Sequence, residues 1–435
     1  MPKDAVTKQE DDVNSPTEEE EAMASSLLKE AHVRAALAAD KGVAVRLTAW
    51  KVVDFSKKGD NYVSAVSSVE VTYELDGQSQ EVSYIVKLNP CRNSESSKEY
   101  DTIFFHNESS FYLDIVTDMN SILSDIGFNE LKVPKCFHVD LEKYKEIIFL
   151  EDLRVQGFKM ADRRQGLDEA HVRLVLEELA KFHSASFLMQ AKAPGEDLAF
   201  RYPFLQRCWP YILKNNSLAL TLFKGNLKYC RELLLKVGGY ERAIKWIDSV
   251  IPSLIDVIDE QTKRGRFKVV CHGDVWSNNT LFRYDEGGRP VEVMLLDHQL
   301  SNHSSPAFDL NFLLYTSTTG EVRQPNLDAF LSTYYDTLVK VLKQGDLEPP
   351  FTQAQLLQEF RDMSGAGAIF AMVFIPLVIV EPENALDINA CTDDGVDEML
   401  QDSQTKSLEA QVKDPLIRQR FLSMFDDMME AGLFP

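Results

Sequence analysis

Between Val43 and Leu88 apolar and polar residues alternate, the pattern of strands covered on one face. Val43 to Phe55 alternates loosely, Lys57 to Tyr62 reads as a turn around Gly59, and Val63 to Leu75 is rich in Val, Ser and Thr. Asp76-Gly77 is a strong signal for a two-residue hairpin, so Val82 to Leu88 closes a three-stranded antiparallel meander. Pairing Leu75 with Gln78 puts Lys87 opposite Val66, close to the Gly59 turn. The period then lengthens. Tyr100 to Met119 reads as a helix with Phe104, Phe105, Phe111, Tyr112 and Ile115 on its apolar side. Val133-Pro134-Lys135 opens an extended segment, and Ile147 to Leu150 is an apolar strand running into Glu151-Asp152-Leu153. From there the chain is mainly helical. Leu167 to Ser186 carries a buried stripe (Val172, Val175, Leu176, Leu179, Phe182), with His183 on or beside it as a structural histidine. Residues 196–240 are unusually aromatic, and Glu359 to Met372 and Asp414 to Gly432 read as amphipathic helices. At the other end, residues 1–14 are acidic and polar and read as a disordered tail. Ser15-Pro16-Thr17-Glu18 forms a capping box for a helix with Met23, Leu27, Ala31 and Leu37 on its stripe, ended by Gly42.

The segment from Lys268 to Asp309 is organised differently. A short apolar strand, Val269 to Cys271, leads into a polar loop with His272, Gly273, Asp274 and Asn279. Thr280 to Tyr284 and Val291 to Leu296 then read as two strands across a Gly-Gly turn, the second ending on Asp297. As a hairpin with Tyr284 near Val291, these strands bring Asn279 opposite Leu296 and next to Asp297. With the loop that holds Asp274 beside them, three hard oxygen ligands or bases converge on one point and suit Mg²⁺ and phosphate far better than zinc or a redox metal.

Composition narrows the partners. The 435 residues carry 46 Lys+Arg against 68 Asp+Glu, a formal charge of −22 that argues against nucleic acid and anionic lipid. A polyanionic nucleotide would therefore need a local positive focus and a metal. Six scattered cysteines without C-x-x-C pairs read as free thiols in a reducing compartment. The N-terminus shows no apolar signal-peptide core, and the longest apolar run, Gly365 to Val380, is interrupted by Pro376. The expectation is a cytoplasmic protein without a membrane span; its oligomeric state is not encoded in any recognisable pattern.

Asp274 and Asn279 stand five apart, as do the Asp and Asn of the protein-kinase catalytic loop, and Asp297 follows a strand as the kinase metal-binding Asp does. Gly273, where protein kinases have Arg, resembles the aminoglycoside and choline kinase type. The wider set, W-S-N-N-T-L-F, D-H-Q-L, S-P-A-F-D-L, G-D-N-Y-V-S, F-H-N-E-S-S-F-Y, V-P-K-C and L-E-D-L, resembles the ecdysteroid kinase-like family over roughly residues 40–432. That resemblance implies a two-lobed α+β protein-kinase-like fold. The N-lobe would span 15–150, the hinge 150–153, and the C-lobe 151–435 with a helical acceptor-binding insert at about 190–260. It implies a catalytic set of Asp274, His272, Lys87 and Glu108, and Mg²⁺ on Asn279 and Asp297. ATP would lie against Gly59, Asn61, Ser64, Lys87, Glu151 and Leu153. The acceptor would be a small hydroxylated molecule, an ecdysteroid first, with a choline-like or xenobiotic alcohol as alternative. A non-catalytic ligand-binding pseudokinase is the reading from another class, supported by the glycine-poor turn and by His298, where the family pattern has Phe.

Overall fold

Hairpin chemistry sets the first half of the molecule. In the computed structural model, which describes residues 26–54, 64–92, 95–379 and 412–434, Asp76 and Gly77 both take positive φ (52° and 77°), as a tight hairpin turn requires. The expected acidic tail, the Ser15 capping box and the Gly59–Asn61 part of the turn lie outside the described residues. The Asp76-Gly77 turn joins β2 (Ala65–Leu75) to β3 (Gln78–Leu88) with Leu75 opposite Gln78 and Lys87 opposite Val66, the register the sequence predicts. With β1 (Arg46–Asp54), β4 (Cys136–Asp140) and β5 (Ile147–Glu151) they form a five-stranded antiparallel sheet in the order β1-β2-β3-β5-β4. Val69, Val71 and Tyr73 of β2 and Tyr84, Val86 and Leu88 of β3 are buried in one cluster with Val33, Ala36 and Leu37 of the helix Glu30–Lys41. That helix begins at Glu30, later than the apolar stripe from Met23 suggests, and ends at Gly42 as expected.

The predicted Tyr100–Met119 helix is longer. It runs as Glu95–Ser110, a π-helical turn Phe111–Ile115 and the helix Val116–Asp125, with Phe104, Phe105, Phe111 and Tyr112 buried. After β5 the chain passes through Asp152 into a 3₁₀ turn, Leu153–Gln156, where the Asp152 carboxylate accepts the Arg154 backbone N–H. The C-lobe is built on the helix Glu169–Lys192, capped by Asp168, which packs against the helix Gly320–Gln344.

The strands of the Lys268–Asp309 segment are laid on this helical base. After β6 (Lys159–Met160) come β7 (Val269–Cys271), β8 (Thr280–Tyr284), β9 (Pro290–Leu295) and β10 (Asn302–Ser304); β7 pairs with β10, and β8 lies between β6 and β9. At the site end of the hairpin the predicted register holds: Thr280 faces Leu295, and the Leu296 N–H donates to the Asn279 carbonyl at 2.9 Å. At the turn end it slips by one, with Tyr284 facing Pro290 instead of Val291. Pro290 has no N–H to give a ladder, and a bulge there absorbs the extra residue.

One helix reading is corrected. Glu359 to Met372 is not continuous: Gln353–Asp362 stops at Met363 and Ser364–Ile379 starts after a 54° bend. At the break the Ala366 N–H donates to Gln261 Oε1 at 2.8 Å, and a side chain at Gly365 would meet the Gln261 amide at 2.7 Å. Ser364–Ile379 is buried at nearly every position and runs past Pro376. Among the described residues no single helix is long and apolar enough to cross a membrane.

Candidate active site

The cleft between the sheet and the helical lobe gathers the charged residues. Lys87, projecting from β3, donates to Glu108 Oε1 (2.9 Å) and Oε2 (2.7 Å) on the helix Glu95–Ser110, and to Asp297 Oδ1 (2.8 Å). Burial by itself would lower the Lys87 pKa; Asp297 and Glu108 more than reverse that, so the ammonium is held. Burial drives the Glu108 carboxyl up, while Lys87 and the backbone N–H of His298 favour its ionised form. Asp297 takes the left-handed conformation (φ 65°), which turns its carboxylate back toward Lys87 and Gln299 Nε2.

Facing this trio is the loop after β7. Asn279 Nδ2 donates to both the backbone carbonyl and Oδ2 of Asp274, each at 2.9 Å, so the two residues five apart are locked together. The other carboxylate oxygen of Asp274, Oδ1, is buried with no protein partner. Burial, then the negative charge of Asp297, holds the Asp274 pKa well above the usual carboxylate range. The amide nitrogen of Asn279 is engaged, so its Oδ1 is the atom left to meet a cation beside Asp297. This donor set, one amide and one carboxylate oxygen, fits Mg²⁺.

The loop is braced from below by Asp309 on the helix Pro306–Ser317. Its Oδ2 accepts the His272 N–H (2.7 Å), its Oδ1 the Gly273 N–H (3.0 Å). His183 Nε2–H donates to the same carboxylate at 3.0 Å while its Nδ1 accepts from Tyr334 OH at 2.8 Å. His183 is thus the buried structural histidine expected. Cys271 lies with His183 and Asp309, but the hydrogen bonds just described make this trio a brace for the loop. Replacing Asp309 by Asn would set an amide N–H against these N–H donors. The expected result is a loss of about 3 kcal/mol or more in denaturant unfolding.

His272 departs from its predicted catalytic role. It is fully buried, its Nε2–H donates to the Leu296 carbonyl (2.9 Å), and its Nδ1 accepts the Asp274 N–H (3.3 Å). It ties the loop to the end of β9 and does not line the cleft. His298 is also fully buried. Its ring stacks on Phe111 at 3.7 Å and 3°, where an apolar ring would fit, and burial pushes its pKa well below the ordinary histidine value.

The cleft holds a cavity of about 520 Å³. It is lined by Val66, Ile85, Leu150, Leu281 and Leu296 together with Ser64, Lys87, Glu151, Leu153 and Asp297. The Glu151 N–H donates to Lys135 O at 2.8 Å as part of the sheet edge. The cavity wall also includes Asp274 and the rings of Trp209, Phe223, Trp276 and Phe374, which pack on one another. Trp209 Nε1–H donates to the Gly273 carbonyl at 2.9 Å. These four rings were not singled out by sequence. Spacing within residues 196–240 does not separate Trp209 and Phe223, which face the cavity, from Phe204 and Tyr229, which do not line it. Trp276, two residues after Asp274, is the one that loop position could have flagged.

A small antiparallel lobe closed over a helical one, with this lysine, acid and amide arrangement in the cleft, defines the protein-kinase-like class of fold. The comparison with family models is specific: the ecdysteroid kinase-like family model matches residues 58–346, about two thirds of the chain, and the chain belongs to that family. No curated protein matches it significantly.

Proposed function

We propose that this protein transfers the γ-phosphoryl group of ATP to a hydroxyl of a lipophilic, ecdysteroid-like acceptor. The observation that carries this reading is a single cavity whose wall takes in Lys87, Asp297 and Asp274 together with a cluster of aromatic rings. Lys87, directed by Glu108, would bind the α- and β-phosphates. Val66, Ile85, Leu150 and Leu281 would sandwich the adenine, with the Glu151 carbonyl and Leu153 at its edge. Ser64, in the cavity wall, would lie near the phosphates. Asn279 and Asp297 would hold Mg²⁺, whose charge bridges and neutralises the phosphate oxygens. Asp274 would orient the acceptor hydroxyl and take its proton. Phosphoryl transfer needs mainly positioning and charge neutralisation, so this set suffices. The inward-packed His298 subtracts nothing from it and offers no support for a non-catalytic reading.

A choline-type acceptor is the second reading, because Trp209 and Trp276 could also face a quaternary ammonium. Mass spectrometry of reactions with Mg-ATP and a panel of an ecdysteroid, choline, ethanolamine and plant-type phenols separates the two. The expected product is the ecdysteroid phosphomonoester, and preferential phosphorylation of choline would replace it with the alternative. If no acceptor is modified and Mg-ATP fails to raise Tm, the kinase reading falls.

The raised pKa of Asp274 gives a pH expectation. Only the ionised carboxylate can take a proton, so transfer should fall on acidification along a limb lying above the ordinary carboxylate range. Raising Mg²⁺ should move this limb to lower pH by offsetting the charge of Asp297. A rate independent of pH across the acid and neutral range would contradict the assignment of Asp274 as base.

A further inference from the structure

Asn279 and Asp297, the two residues proposed for the metal, are fixed in different ways. Asn279 is locked by its amide to Asp274. The Asp297 side chain stays 25% exposed, so polar contacts, more than packing, set where its carboxylate points. Each of its oxygens takes one such contact: Oδ1 accepts from Lys87 Nζ at 2.8 Å, and Oδ2 from Gln299 Nε2 at 3.2 Å. An ionised carboxylate only accepts, so the amide nitrogen of Gln299, not its oxygen, is the atom that faces it. Gln299 is 6% exposed and lines the cavity.

Both contacts lead back to one helix turn. Lys87 is held by Glu108, and the backbone carbonyl of Gln299 accepts from Asn107 Nδ2 at 3.0 Å. Asn107 and Glu108 are consecutive in the helix Glu95–Ser110, and Asn107 is fully buried. That turn therefore governs Oδ1 of Asp297 through Glu108 and Lys87, and Oδ2 through Asn107 and Gln299. The first route is given up when the Lys87 ammonium turns to a phosphate. The second uses no group assigned to the nucleotide, so it remains. Resting on the kinase reading above, we propose that Gln299 is a positioning residue for the metal site. It holds Asp297 so that its carboxylate meets a divalent cation beside Asn279, and Asn107 in turn fixes Gln299. Outer hydrogen bonds of this kind orient carboxylate ligands and strengthen metal binding. The metal ligand and the phosphate-binding lysine are thus tied to the same helix, and a displacement of that helix disturbs both.

The test is Mn²⁺ binding to the full chain, read by electron paramagnetic resonance with a β,γ-imido analogue of ATP, so that no turnover is needed. Mn²⁺ stands in for Mg²⁺ because it takes the same oxygen ligands. Gln299→Leu should weaken Mn²⁺ binding by about tenfold to a hundredfold. Its affinity for ADP in EDTA should match that of wild type, because Lys87 and Glu108 are untouched. Asn107→Asp sets an oxygen against the Gln299 carbonyl and should weaken Mn²⁺ in the same direction. Because Asn107 acts through Gln299, the double variant should bind Mn²⁺ no more weakly than Gln299→Leu alone; independent defects would multiply. If the buried Asn107→Asp variant fails to fold, the Gln299→Leu comparison decides by itself. Equal Mn²⁺ affinity in wild type and Gln299→Leu overturns the proposal. So does an equal loss of ADP affinity, the mark of a merely structural residue. Wild-type protein that binds the nucleotide but no Mn²⁺ would remove Asp297 as a metal ligand and the role of Gln299 with it. Wild-type protein that binds neither would bring down the kinase reading itself.

Discussion

Asp274→Asn is expected to reduce phosphoryl transfer by about 10²- to 10⁴-fold while leaving the Mg-ATP-induced rise in Tm in place. The substituted amide has the shape of the carboxylate and can still present an oxygen to Asn279 Nδ2, which holds Asp274 at 2.9 Å. Lys87, Glu108 and Asp297, proposed for the nucleotide and metal beside Asn279, form their own ion-pair set and are untouched. What the variant loses is the oxygen that can take a proton. Rate measurements at saturating Mg-ATP, with thermal melts alongside, read the two effects separately. Retention of more than about a tenth of wild-type activity would remove Asp274 from the role of base.

Gly273→Ala is expected to be the most damaging small substitution in the loop, lowering stability by about 3 kcal/mol or more and abolishing activity. Gly273 lies at φ 83°, where an L-side chain is strained. A Cβ there would stand 2.0 Å from the Leu300 carbonyl oxygen and 2.6 Å from Asn302 Nδ2, and the first of these is backbone that cannot swing aside. Any shift of the loop would also pull on the Asp309 bonds to His272 and Gly273 and on the Trp209 bond to the Gly273 carbonyl. Denaturant unfolding and the transfer assay should fail together. A stable, active Gly273→Ala protein would mean that the loop adopts another conformation.

The contrast between these two neighbours shows what sequence can convey. Asp274, Asn279 and Asp297 were legible because hairpin pairing is a counting rule: once the turn is placed, Asn279 must end beside Leu296. Lys87 opposite Val66 followed in the same way from Asp76-Gly77. Helical segments offer no such rule. The aromatic richness of residues 196–240 was plain, but which rings reach the cavity depends on how helices far apart in sequence cross, and Phe374 joins Trp209 and Phe223 from well downstream in the chain. The break at Met363 was hidden because Gln261, which accepts the Ala366 N–H there, lies on another helix. His272 looked catalytic because it adjoins Asp274. Its burial beneath the loop becomes evident only when Leu296 and Asp309 are in place around it.

The measurement that bears most directly on the account is ³¹P NMR of wild-type protein with Mg-ATP and an ecdysteroid, run beside Asp274→Asn. The account predicts that a phosphomonoester resonance grows as the γ-phosphate of ATP disappears and ADP accumulates, and that it is lost in the variant. ATP left intact, or consumed only to inorganic phosphate with no phosphomonoester, would contradict it.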